Sequence, residues 1–209
     1  MKRFVMLALV VLSLVSLGLP SATRAASEVY RFRGRIAEAN FLSKDASGCV
    51  VTDVFLRAFG EGTAQPGNTP TRPAVAVQLT RYNVCDEGPS LISADGFAWL
   101  GADELQIDRH LSASSLRTTI ELYDVVSQTP LPVAIDLTWI GNGDTITGRD
   151  RTHFHIRQTN FLVLESFAET IRLGEARGSV IVRGENATPT PAWDAKLATR
   201  TTSELTVSR

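Results

Sequence analysis

Apolar and polar residues alternate with a period of two along most of this chain, the pattern of half-buried β-strands. In 29–42, Tyr30 and Phe32 alternate with Arg31 and Arg33. Residues 116–125 set Leu116, Thr118, Ile120 and Leu122 on one face, and 133–140 do the same with Val133, Ile135, Leu137 and Trp139. Segments 49–59 and 75–85 have β composition. Residues 151–157 and 161–173 read as a strand pair turning at Thr159-Asn160. A short strand follows at 178–184, and the Thr-rich tail from Trp193 to Val207 reads as a returning strand. Between these lie turn-rich stretches: GEGTAQPGNTPTRPA, Ser127–Pro130, Gly141–Asp144 and Ala187–Pro191. The best helix candidate is short, at 101–106 (GADELQ). The pattern predicts an all-β fold, an antiparallel β-sandwich or a closed β-barrel with about 8–10 strands and little helix. Arg and Glu on several outward faces argue against an outer-membrane barrel.

The first residues break this pattern. Lys2 and Arg3 precede an apolar run from Phe4 to Leu19, and Pro20 and small residues follow. That is the layout of a secretory signal peptide. Cutting after Ala25 places Thr23 at −3, whereas cutting after Ala26 would place Arg24 there, so cleavage is expected after Ala25. The run is shorter than the roughly 20 residues that span a bilayer as a helix. Residues 1–25 are thus expected to leave a single all-β domain, 26–209, exported to the cell envelope or beyond. No transmembrane segment is expected in the mature chain.

The whole chain carries 21 basic and 22 acidic residues. Lys2, Arg3 and Arg24 all lie in the leader, so the mature domain has 18 basic and 22 acidic side chains, a net charge of −4. A mildly acidic domain has no electrostatic footprint for nucleic acid.

Cys49 and Cys85 are the two cysteines, and export makes a single disulfide the expected state. Their midpoint, Gly67, falls in the centre of the Gly/Pro-rich stretch. A hairpin folded there would set Cys49 opposite Cys85, Asp53 opposite Arg81, Phe55 opposite Leu79, Arg57 opposite Val77 and Phe59 opposite Val75. The second hairpin, turning at 127–130, would bring Leu122 near Ile135 and Thr118 near Trp139.

The densest candidate chemistry is RDRTHFHIR, 149–157. In an extended strand Arg151, His153, His155 and Arg157 share a face. Folding back around Thr159 would set Glu165 opposite His153. Two His at i, i+2 with a cross-strand Glu can hold a metal ion. The flanking arginines would repel a cation and suit an anion, and a solvated polar face is the plainer reading. No metal site is therefore assigned. Asp103, Glu104 and Asp108 match no calcium loop and read as loop charges, and His110 reads as exposed. GxSxG, HExxH, Walker and GxGxxG patterns are absent, so no cofactor and no catalytic residue is assigned. Trp139 and Trp99 read as core and Trp193 as exposed. Asn186-Ala187-Thr188 matches a glycosylation sequon.

These observations favour a secreted, non-catalytic β-domain with a ligand-binding, adhesion or structural role, its partner an extracellular ligand or protein. A secreted hydrolase using carboxylates or a His pair, and a small barrel carrying an apolar ligand, are the alternatives. N-terminal sequencing of the exported protein is expected to begin at Ala26; a chain that retains Met1 after export would refute the cleavage.

Overall fold

A computed structural model describes residues 27–65, 69–86, 88, 90–156 and 161–208. The leader and Arg157 lie outside the described residues. Twelve strands make one antiparallel sheet: β1 (Ser27–Lys44), β2 (Val50–Gln65), β3 (Thr69–Thr71), β4 (Ala74–Asn83), β5 (Ile92–Trp99), β6 (Leu105–Ile107), β7 (Ala113–Asp124), β8 (Thr129–Gly141), β9 (Ile146–Ile156), β10 (Phe161–Val182), β11 (Glu185–Asn186) and β12 (Asp194–Ser208). There is no helix among the described residues. The pairing runs β1-β12-β10-β8-β7-β5-β4-β2 and returns to β1, a circuit of eight strands. It is not a regular barrel, because two parts of the wall are thin. β5 and β7 share only the pairs Ala94–Asp124 and Asp95–Tyr123. Between the second half of β10 and β1, the wall is the irregular segment 187–193. It is held by Ala187 N–H to Val180 O, Ala192 N–H to Ala176 O, Ser43 Oγ to Ala187 O and Trp193 N–H to Asn40 O. Pro189 and Pro191, which lack the N–H a ladder requires, explain why no strand forms there.

Inward positions fill the circuit. β7 and β8 alternate strictly between exposed and buried residues. Leu116, Ile120, Leu122, Val133, Ile135, Leu137 and Trp139 meet Phe41, Val54, Leu56, Val75, Val77 and Leu79 in one cluster. Each fully buried side chain of this size contributes about 1.5–3 kcal/mol. One end is closed by the 101–112 connection. The expected helix at 101–106 is instead a turn followed by β6, because Glu104 folds back to accept the Gly101 N–H at 2.5 Å and the Thr118 hydroxyl at 2.6 Å. Leu105, Ile107 and Leu111 point into the core, and Arg35 donates to Ile107 O across the opening. β9, the first half of β10, the second half of β12 and the first half of β1 pair beyond this body and contribute none of the described core residues.

Two hairpin registers differ from expectation. Cys49 and Cys85 form the disulfide, with Cα atoms 5.2 Å apart, but their hairpin is shifted by one residue. Val54 faces Leu79, Leu56 faces Val77 and Ala58 faces Val75, while Asp53 faces Thr80 and Phe55 faces Gln78. The ladder ends at Val50–Asn83, and the bridge closes the strands just past it. Burial decides the matter. Val54, Leu56, Ala58, Val75, Val77 and Leu79 are each at most 1% exposed, and a one-residue slip would set each apolar strand face against a half-polar one. Arg81 accordingly meets Thr52 and Glu185, not the expected Asp53. The second hairpin turns at 125–128, so Thr118 pairs with Ile135, Leu122 with Leu131 and Ser114 with Trp139. An even shift kept the expected face and changed only the partners. β10 joins the two strands expected at 161–173 and 178–184, and β5 went unforeseen. In β5 the buried positions are Ile92 and Ala94, so Trp99 falls on the outer face and is 54% exposed, contrary to expectation. Trp139 (1%) and Trp193 (69%) lie as expected.

The loop closed by the bridge spans 36 positions, and its closure is worth about 3–4 kcal/mol in the chain-entropy model. Replacing both Cys49 and Cys85 by Ser is expected to lower the urea midpoint and to raise the denaturant slope, because the unlinked denatured chain exposes more surface; an unchanged midpoint would show that the bridge constrains nothing.

Candidate functional site

The residues singled out in the sequence fall on two paired strands. Arg151, His153 and His155 lie on β9 and Glu165 on β10. The register sets His153 opposite Leu164 and Glu165 opposite Thr152. The expected His153–Glu165 pairing is therefore off by one residue, and the three-donor set that depended on it is not assembled by the backbone. No group of three His, Cys, Asp or Glu is placed to hold a metal ion among the described residues.

A charge cluster that no motif announced lies on the outer face of β1. Glu38 is opposite Arg57 on β2 and Lys196 on β12, and Glu169 on β10 is opposite Arg200. Glu38 meets Arg57 at 2.6 Å, Lys196 at 3.1 Å and Arg200 at 3.7 Å. Glu169 pairs with Arg200 and, at 3.8 Å, with Lys196. Arg57 stacks over Phe55 and Arg200 over Phe167. Burial resists ionisation of Glu38, yet Arg57, Lys196 and Arg200 together outweigh it and hold its pKa below the usual value. A general acid needs the opposite shift. The cluster binds four strands together and holds Glu38 in its charged form.

A third buried carboxylate, Asp124, closes the thin β5–β7 seam. Its side chain is fully buried. It accepts from Ser93 N–H, Val126 N–H and Ser127 Oγ, and Arg183 lies 3.5 Å away. Burial again opposes the charge, and these donors outweigh it and lower the pKa. The other acids of interest cap turns. Asp108 accepts from His110 N–H and Ser112, and Asp45 from Ser47 and Val50 N–H. His110 is exposed, as expected, and receives the Arg109 Nε–H. The sequon is also structural: Thr188 is 1% exposed, and its hydroxyl accepts from Val180 N–H while Asn186 Oδ1 accepts the Thr188 N–H.

The clearest concavity lies at the rim where β2, β3, β4 and the end of β5 converge. It has a volume of about 380 Å³ and is lined by Glu61, Gly62, Pro70, Thr71, Arg72, Pro73, Leu100, Gly101 and Ala102. Gly62 is required here, since a Cβ would lie 2.5 Å from Arg33 O and 2.9 Å from the Phe32 ring. Pro73 O accepts the Leu100 N–H and holds the two sides together. Glu61 and Arg72 are both exposed and make no ion pair with each other. Thr71 Oγ1 is buried in the wall without a hydrogen-bond partner, an uncompensated polar burial of the kind that needs explaining. The Gly/Pro-rich composition of 60–74 predicts loop, and no motif marks these residues. The return of β5 beside β4 brings them around one concavity.

No known family model and no curated protein matches the chain.

Glu38 and Asp124 have folded-state pKa values below their unfolded ones. Their contribution is complete above the unfolded carboxylate pKa of about 4 and is lost as pH falls through the lower folded values. Urea midpoints are therefore expected to hold from neutrality to about pH 5 and fall steeply below pH 4. Asp124→Asn should be less stable at pH 7 and lose less on acidification; parallel curves for variant and parent would refute the assignment.

Proposed function

We propose that the chain is a non-catalytic ligand-binding domain that works outside the cytoplasm, with the rim cleft as its binding site. The observation that carries the reading is the cleft's own composition. Two opposite charges line one concavity without neutralising each other, whereas the buried carboxylates among the described residues, Glu38, Asp124 and Glu169, are all engaged. Ligand sites combine an apolar floor with a few convergent polar groups, and Leu100, Pro70, Pro73 and Ala102 supply that floor. The disulfide fits an oxidising compartment and therefore the expected export. No helix among the described residues is long and apolar enough to cross a membrane.

The other two readings have less support. A paired-carboxylate hydrolase needs one carboxyl protonated at working pH, and Glu38 is shifted the wrong way. An apolar carrier needs internal space, and the large side chains of Trp139, Phe41, Leu56 and Leu137 pack into the interior.

The test is amide chemical-shift mapping of the labelled protein against three separate probes: trialanine, methyl α-glucoside and citrate. At least one is expected to move the Gly62, Thr71, Arg72, Gly101 and Ala102 amides together, in a saturable way. If none of the three does so at 10 mM, about the weak end of useful affinity, the cleft is not the binding site.

A further inference from the structure

The charges of the cleft narrow the ligand class. We infer that the site takes a small zwitterion, an amino acid or short peptide with a free ammonium and a free carboxylate. This rests on the reading of the cleft as a binding site. Arg72 presents a planar fork suited to a carboxylate, and Glu61 an acceptor suited to an ammonium. A simple anion would meet Glu61 and, behind Gly101, Glu104, whose oxygen lies 3.3 Å from where a Gly101 Cβ would sit. A simple cation would meet Arg72. A neutral sugar would look for an aromatic platform, and none of the lining residues is aromatic. The exposed Trp99 stands edge-on to Phe97 instead. A volume of about 380 Å³ is at the small end for ligand sites. The prolines, Leu100 and Ala102 suit small apolar side chains.

Glu104 is already committed to Thr118 and to Gly101 N–H, which leaves Glu61 as the acid available to the ligand. Both Glu61 and Arg72 are solvent-exposed, so removing either side chain's charge leaves the fold intact, which far-UV circular dichroism would check.

The experiment compares four peptides by titration: free trialanine, its N-acetyl form, its C-terminal amide and the doubly capped form. Free trialanine is expected to bind, and each single cap to weaken binding about five- to tenfold, the scale of one exposed charge-assisted contact. Glu61→Gln should bind the free and N-acetylated peptides alike yet still discriminate against the amide. Arg72→Gln should show the converse. Arg177→Gln, on β10 and outside the cleft lining, should behave as the parent. Equal binding of the free and doubly capped peptides, or parent-like selectivity in both cleft variants, overturns the inference. If methyl α-glucoside or citrate moves the cleft amides and trialanine does not, the zwitterion inference fails while the binding reading survives. If no probe does, both fail.

Discussion

The structure depends on β1 having a strand on each side. It pairs with β12 along one edge and with β2 along the other, and only these two ladders turn an open sheet into a circuit. An all-β chain left with long open edges invites pairing with other chains. Closing through β1 removes that hazard for the body of the domain, and it buries β1 on both faces: Ile36, Ala37, Glu38 and Ala39 are each at most 6% exposed. The alanines on the inner face leave room for Trp139, whose Nε1–H reaches the backbone oxygen of Glu38 at 2.9 Å. A large indole and small alanines fill that space together.

The outer face of β1 explains a charge cluster that would otherwise look wasteful. Buried ion pairs add little net stability, because desolvation consumes most of the Coulombic gain. Their value here is in register. Glu38 is correct only when β1 sets it between Arg57 and Lys196. A slip of one residue against either neighbour would turn the strand over and carry that carboxylate toward the apolar core. Hydrophobic alternation and the ion cluster therefore specify the same register from opposite faces.

The alternation made strand identity legible, and face assignment with it wherever the pattern was strict. β7 and β8 were placed on their correct faces even though their turn was misplaced by two positions, because an even shift preserves the face. Register was less legible. Direct opposition of Cys49 and Cys85 implies a hairpin one residue away from the observed register, because the bridge lies just past the end of the ladder. The better guide was the apolar series Val54, Leu56 and Ala58 against Val75, Val77 and Leu79, which a disulfide just beyond the ladder does not disturb. Trp99 was misjudged for a related reason. A tryptophan between Ala98 and Leu100 looks like core, but strand parity, anchored at Ile92 and Ala94, sends it outward. The helix expected at 101–106 failed because Glu104 satisfies Gly101 N–H and Thr118 instead of extending a helical turn.

The cleft was illegible for a deeper reason. Glu61 and Arg72 stand on opposite arms of a hairpin, and Leu100 and Gly101 arrive from β5, which the sequence pattern did not reveal. No spacing rule links the three segments. What brings them together is the order β5-β4-β2 in the sheet and the Leu100 N–H to Pro73 O bond that fixes the β5 end. One of the prolines that marked this stretch as loop has a definite place there. Pro73 offers no N–H and stands where the ladder along β2 is interrupted between β3 and β4. The feature that made the segment look like punctuation in the sequence marks the break in the ladder beside a concave, charged surface at the end of an otherwise filled sheet.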